Sequence, residues 1–137
     1  MKIDLSQATF IIPIRIESSD RLRNVITVCC FLLETFDTKI ILKEIDQTSV
    51  FQERALPQIK EFVGDAIDNL THIFEKSDPD DHVFYRMRYL NEMLDLCDTD
   101  IVANYDCDVL LPVDTYVQAQ KMCTGEYDLV SVSYTHL

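Results

Sequence analysis

Asp106 and Asp108 sit in the stretch IVANYDCDVLLP, residues 101 to 112, where an apolar, strand-like run ends in two carboxylates with one residue between them. Carboxylate oxygens so arranged suit a hard divalent cation such as Mg²⁺ or Mn²⁺, at ligand distances near ~2.1 Å. The spacing alone carries little, because in a chain this rich in Asp about two D-x-D patterns arise by chance. Three occur. Asp78/Asp80 and Asp98/Asp100 lie in polar stretches that read as loops. Only Asp106/Asp108 follows a segment built for burial, which sets both carboxylates at the end of a central strand. Their position, more than their spacing, points to chemistry.

Other residue types narrow the options. The chain has two glycines, Gly64 and Gly125, so neither a G-x-G-x-x-G turn nor a Walker loop can cradle phosphates with backbone amides. A phosphate bound here must be held by arginine and metal. Five cysteines, Cys29, Cys30, Cys97, Cys107 and Cys123, form no C-x-x-C and read as reduced cytosolic thiols, which predicts a cytoplasmic protein. Cys29 and Cys30 fall in an apolar helical stretch and read as core, and Cys107 is expected to point away from the flanking aspartates. His72, His82 and His136 show no metal-ligand spacing.

The elements that must position the carboxylates follow from the 137 residues as a whole. That length supports one domain with a real core, and 47% hydrophobic with 26% charged residues is ordinary for a globular protein. A net charge of −12 argues against nucleic acid or an anionic membrane surface as partner. The longest apolar stretch, Val25 to Leu33, is too short to span a bilayer. Asp4, Pro13 and Arg15 interrupt any signal-peptide core.

Periodicity predicts a strand over 8–16, then a helix over 18–36 capped by Ser18 or Ser19, with a stripe of Leu22, Val25, Ile26, Cys29 and Leu33. A second strand is expected over 38–45, partly helical polar chain around Pro57, and a short third strand over 71–77. An amphipathic helix follows over 81–97, with Val83, Met87, Leu90, Met93, Leu94 and Cys97 on its apolar side. A strand over 100–105, a helix over about 113–123 and a last strand YDLVSVS, residues 127–133, complete the chain. Alternation of this kind predicts an α/β fold, a mainly parallel sheet covered by helices on both faces, with the ligand at the carboxyl ends of the strands. Arg15, Glu17 and Arg21 follow the first strand, Glu44 and Asp46 end the second, and Asp106 and Asp108 end the fourth.

FIIPIRIESSDRL (10–22), FYRMRYLN (84–91) and IVANYDCDVLLP together resemble the donor-binding half of the glycosyltransferase A fold, near the family 2 and galactosyltransferase-type enzymes. There a first strand ends in P-[FIV]-R or P-x-x-N, a helix carries F-x-R-[AM]-[KR]-x-L-N, and a later strand ends in D-x-D-x-x-x-[PL]. All three occur here in order, over roughly residues 8 to 130. The resemblance implies a Rossmann-like sheet and an inverting transfer of a sugar from a UDP-sugar to an acceptor hydroxyl on a saccharide or glycan, assisted by Mn²⁺ or Mg²⁺. It implies that Arg15 and Arg86 meet the nucleotide and diphosphate, that Asn91 shapes the neighbouring loop, that Asp108 binds the metal, and that Asp106 holds the ribose or a metal-bound water. Glu17, Glu44 and Asp46 become candidates for the nucleoside pocket. Two departures stand out: EIDQTS replaces the usual acidic-Gly-Ser turn, and Glu92 stands where Gly is usual.

The resemblance also places the general base beyond residue 137, so residues 1–131 are expected to be an incomplete nucleotide-sugar-binding part, inactive alone, and 132–137 a candidate non-native tail. Two rivals start from the same residues. A haloacid dehalogenase-type phosphatase also ends a strand in D-x-D, but prefers Thr or Val where this chain has Leu110. A non-catalytic nucleotide-binding module is the other.

Overall fold

The computed structural model describes residues 1–132 of the chain. Its elements are β1 (Ile3–Ile14), α1 (Ser19–Thr35), β2 (Phe36–Asp46), a π-helical turn (Phe51–Ala55) running into α2 (Leu56–Val63), a 3-10 stretch (Gly64–Asn69), β3 (Leu70–Lys76), α3 (Arg86–Leu96), β4 (Ile101–Asn104) and α4 (Val113–Thr124). All strand pairs are parallel, in the order β3-β2-β1-β4. The expected α/β class, with a Rossmann-like parallel sheet flanked by helices, is what forms.

The order of strands follows from handedness and from burial. β1 is buried without a break from Ala8 to Ile14, the pattern of a strand covered on both faces, and it takes the interior position with β2 and β4 beside it. Parallel crossovers are right-handed, so the chain steps β1 to β2 to β3 with α1 and α2 on one face. It must then return over the other face, through α3, to place β4 on the far side of β1. Ile12, Ile14, Ile40 and Leu42 meet Val25, Cys29, Leu32, Ile59 and Tyr116 in the larger core on the α1 face. Ile11, Ile41 and Ile45 meet Tyr89, Leu90 and Met93 in a smaller one under α3. The reversal makes a switch point between β1 and β4, where the two connections diverge and leave a crevice at the carboxyl ends.

Helix α1 begins where Ser18 Oγ accepts a hydrogen bond from the Arg21 amide at 3.1 Å, as the sequence predicts. Its buried stripe is Val25, Val28, Cys29, Leu32 and Leu33, with Leu22 and Ile26 at the margin. Helix α3 departs further from expectation. It starts at Arg86 rather than near residue 81, and its buried side is Tyr89, Leu90 and Met93. Val83, Met87 and Leu94 are exposed. The cause is Lys43, which projects from β2 toward α3 with its Nζ bonded to Glu92 and 3.2 Å from Glu75. Glu92 must face the sheet to reach it, and Tyr89, one turn earlier, packs over the lysine with its ring 5.6 Å from Nζ. The helix is thus turned away from the orientation its apolar stripe alone would give. The expected last strand does not form over Tyr127–Val132, and Ser133, with the rest of the candidate tail, lies outside the described residues.

Candidate functional site

The crevice is a cleft of about 430 Å³ lined by Pro13, Ile14, Arg15, Glu17, Arg21, His82, Phe84, Arg86, Asp106, Cys107 and Asp108. Each wall comes from one connection of the switch point: Arg15 to Arg21 from the turn between β1 and α1, His82 to Arg86 from the approach to α3, and Asp106 to Asp108 from the turn after β4. Five of the eight residues singled out in the sequence therefore meet in one place: Arg15, Glu17, Arg86, Asp106 and Asp108. The chain carries 24 acidic against 12 basic side chains, yet here three arginines face three carboxylates. That local balance, beside the amino end of α1, contrasts with the net charge of −12 that the chain carries as a whole.

The side chains are held in place by specific bonds. Arg15 donates its Nε to the Ile45 carbonyl at 2.9 Å and lies 5.8 Å from the ring centre of Phe84. Arg21 donates to the Arg15 carbonyl at 3.3 Å. Arg86 Nη2 reaches Asp106 Oδ1 at 2.8 Å and Asn104 Oδ1 at 3.2 Å, tying the start of α3 to the end of β4. Cys107, between the aspartates, packs against the larger core, and burial together with the adjacent Asp108 pushes its thiol up. It stays protonated and offers no thiolate.

Glu44, Asp46 and Asn91 are not in the cleft. Glu44 is fully buried on the α1 face, where it accepts hydrogen bonds from Ser49 Oγ at 2.6 Å and the Phe51 amide at 3.0 Å and pairs with His72 Nε2 at 3.1 Å. Even positions of β2 point to that face, so the Glu44 side chain turns into the core rather than toward the cleft. The residue anchors the turn after β2 and corrects the expectation of a nucleoside contact. Asp46 caps the same turn: its Oδ1 accepts from the Gln47 amide at 2.7 Å and its carbonyl from the Ser77 amide at 2.8 Å. Asn91 is exposed on α3 and does not line the cleft. Conversely, the cleft takes in His82 and Phe84, which the periodicity places inside a helix that in fact starts later, and Asn104, at the end of β4, reaches it through Arg86.

A pair of buried tyrosines fixes the turn that carries the aspartates. The Tyr105 hydroxyl donates to the Val109 carbonyl and lies 2.6 Å from the Tyr116 hydroxyl, which accepts from the Leu111 amide at 3.0 Å. With its one proton spent on Val109, Tyr105 must accept from Tyr116. The relay runs Leu111 N–H, Tyr116 O–H, Tyr105 O–H, Val109 C=O, each member polarising the next. Burial first, and then the Tyr116 hydroxyl, push the Tyr105 phenol well above its usual range, keeping it a donor. Tyr116→Phe leaves the Leu111 amide without its acceptor, at a cost of about 1–3 kcal/mol. A urea melt checks it, and unchanged stability in Tyr116→Phe would show that the relay adds nothing to the fold.

Among the described residues no three or more His, Cys, Asp or Glu side chains converge as a metal site. Asp106 and Asp108 offer two carboxylates at the cleft, and Mg²⁺ characteristically takes one or two carboxylates and completes its octahedron with substrate phosphates and water. The donor set fits a cation that arrives with a phosphorylated ligand. A smaller hollow of about 250 Å³, around the start of β3 and the end of α3, contains the Lys39–Asp98 ion pair but no arginine.

What the fold and the site define is an α/β protein with a four-stranded parallel sheet and a mixed-charge cleft at its switch point. In comparisons with known proteins, no family model, curated protein or solved structure matches the chain. Among the described residues no helix is long and apolar enough to cross a membrane.

Proposed function

We propose that the chain forms the donor-binding part of a metal-assisted glycosyltransferase, taking a nucleoside diphosphate sugar, UDP-linked, and transferring its sugar to an acceptor hydroxyl on a saccharide. The observation that carries this reading is the meeting of Arg15, Arg21 and Arg86 with Asp106 and Asp108 in one cleft at the switch point. A diphosphate leaving group needs its negative charge matched as the glycosidic bond breaks. Arginine forks do this with directed, charge-assisted hydrogen bonds. Asp106 and Asp108 would hold a Mn²⁺ or Mg²⁺, which would supply the remaining positive charge against the diphosphate. Phe84 lines the same cleft and packs under the Arg15 guanidinium, 5.8 Å from its ring centre, which helps hold that arginine in place. The phosphatase alternative prefers Thr or Val where this chain has Leu110, and phosphate release from a generic phosphoester would favour it.

Calorimetry of the native chain with UDP, in Mn²⁺ and in EDTA, tests the reading. Saturable binding at least about tenfold tighter with metal is expected, the scale on which charge-assisted contacts act. Equal affinity in both buffers removes the metal from the site, and no binding in either removes the donor-site reading.

A further inference from the structure

The two carboxylates of the cleft are in unlike states. Asp106 is neutralised by Arg86, whose Nη2 is shared with Asn104. Asp108 has neither an ion pair nor a hydrogen bond to its side chain among the described residues. On the reading that this cleft receives a nucleoside diphosphate, we propose that Arg86 is the resident counter-ion of Asp106. It leaves that carboxylate for the diphosphate when cation and nucleotide enter, so that metal and guanidinium compete for Asp106 in the empty protein and cooperate in the loaded one.

The physical case rests on exposure and connectivity. The Arg86 and Asp106 side chains are 41% and 57% exposed, and an ion pair of that kind is worth at most about a fivefold factor in an equilibrium constant. It is weak enough to exchange. The contrasting ion pairs centre on Lys43 of β2: 8% exposed and bonded to Glu75 of β3 and Glu92 of α3, it sits between α3 and the sheet with nowhere to go. Arg86 instead opens α3 at the cleft mouth, so its long side chain can swing without moving the helix. With a cation held by Asp106 and Asp108, the Arg86 guanidinium would be repelled from its place beside Asp106 and would favour the diphosphate instead. No covalent step is involved.

Competition and cooperation predict opposite signs for one substitution. In Arg86→Gln, Mn²⁺ alone, followed by the EPR signal of the free ion, should bind about two- to fivefold tighter because its competitor is gone. UDP in saturating Mn²⁺ should bind about tenfold weaker, because a charge-assisted contact is lost. Asp106→Asn and Asp108→Asn, compared in EDTA, give an independent measure. Both remove one negative charge, but only the first frees Arg86, so metal-free UDP affinity should rise more in Asp106→Asn. Unchanged or weaker Mn²⁺ binding in Arg86→Gln, or equal metal-free affinities in the two asparagine variants, overturns the exchange while leaving the donor site intact. Failure of the native chain to bind UDP overturns both.

Discussion

Asp108→Asn is expected to abolish the metal-dependent part of UDP binding, leaving the affinity in Mn²⁺ equal to that in EDTA. The substitution is nearly isosteric and removes one charge from an exposed position, so the fold should not register it: surface changes of this kind fall within about 0.5 kcal/mol. The effect on binding should be far larger. Losing a mere outer partner of a metal ligand costs about 10- to 100-fold in affinity, and a carboxylate in direct contact should cost at least that. Asp108 is the sharper of the two aspartates to change, since Asp106 is already occupied by Arg86 in the empty protein and its loss alters two interactions at once. Asp80→Asn and Asp98→Asn, in the other D-x-D patterns, should leave UDP binding alone: neither residue lines the cleft. Full retention of metal dependence in Asp108→Asn would take the D-x-D turn out of the proposed chemistry.

Glu44→Ala is expected to destabilise the protein by about 3–5 kcal/mol, the cost of leaving partners of a buried charged group unsatisfied. Against a net stability of roughly 5–15 kcal/mol for a domain this size, that brings the variant close to unfolding at room temperature. Three partners lose their acceptor together: Ser49 Oγ, the Phe51 amide and the His72 ring, which itself stacks 4.8 Å from Phe51. The pH dependence has a definite sign. Burial pushes the Glu44 carboxyl up, but the hydrogen bonds from His72, Ser49 and the Phe51 amide more than offset this, so its pKa lies below the usual carboxylate value. A depressed folded-state pKa gives a contribution that is fully present above the unfolded value of roughly 4.3 and is lost as pH falls through the lower, folded value. In urea melts the gap between native protein and Glu44→Gln should therefore be widest near neutrality and narrow below about pH 4. A gap independent of pH would mean that Glu44 is held in its neutral form. UDP affinity measured on the folded fraction should not change, because the residue lies outside the cleft.

These two carboxylates show what one-dimensional reading can and cannot reach. The alternation of strand and helix, the continuous apolar run of β1, the Ser18 cap and the strand-end position of Asp106 and Asp108 are local properties, set by periodicity and by the types of adjacent residues. They were legible, and with them the parallel sheet and the end of it at which Arg15, Glu17, Arg86, Asp106 and Asp108 gather. Glu44 was misplaced because its proximity to a strand end says nothing of which face it takes. In a strand buried on both sides the apolar pattern is silent about facing, and only the packing of the π-helical turn and His72 reveals it. The orientation of α3 was misjudged for a related reason. Its apolar stripe favours burying Met87 and Leu94, but the unpaired charge of Lys43 on β2 would be costly in the interior, and satisfying it with Glu92 and Glu75 outweighs the burial of two flanking side chains. By itself the sequence determined the elements, their order and which ends carry the chemistry, because each depends on neighbours along the chain. Only the tertiary structure decided which face each charged residue occupies, that Arg86 rests on Asp106, and that Tyr105 and Tyr116 hold the turn, because those depend on groups brought together from distant positions to satisfy buried charge and hydrogen bonds.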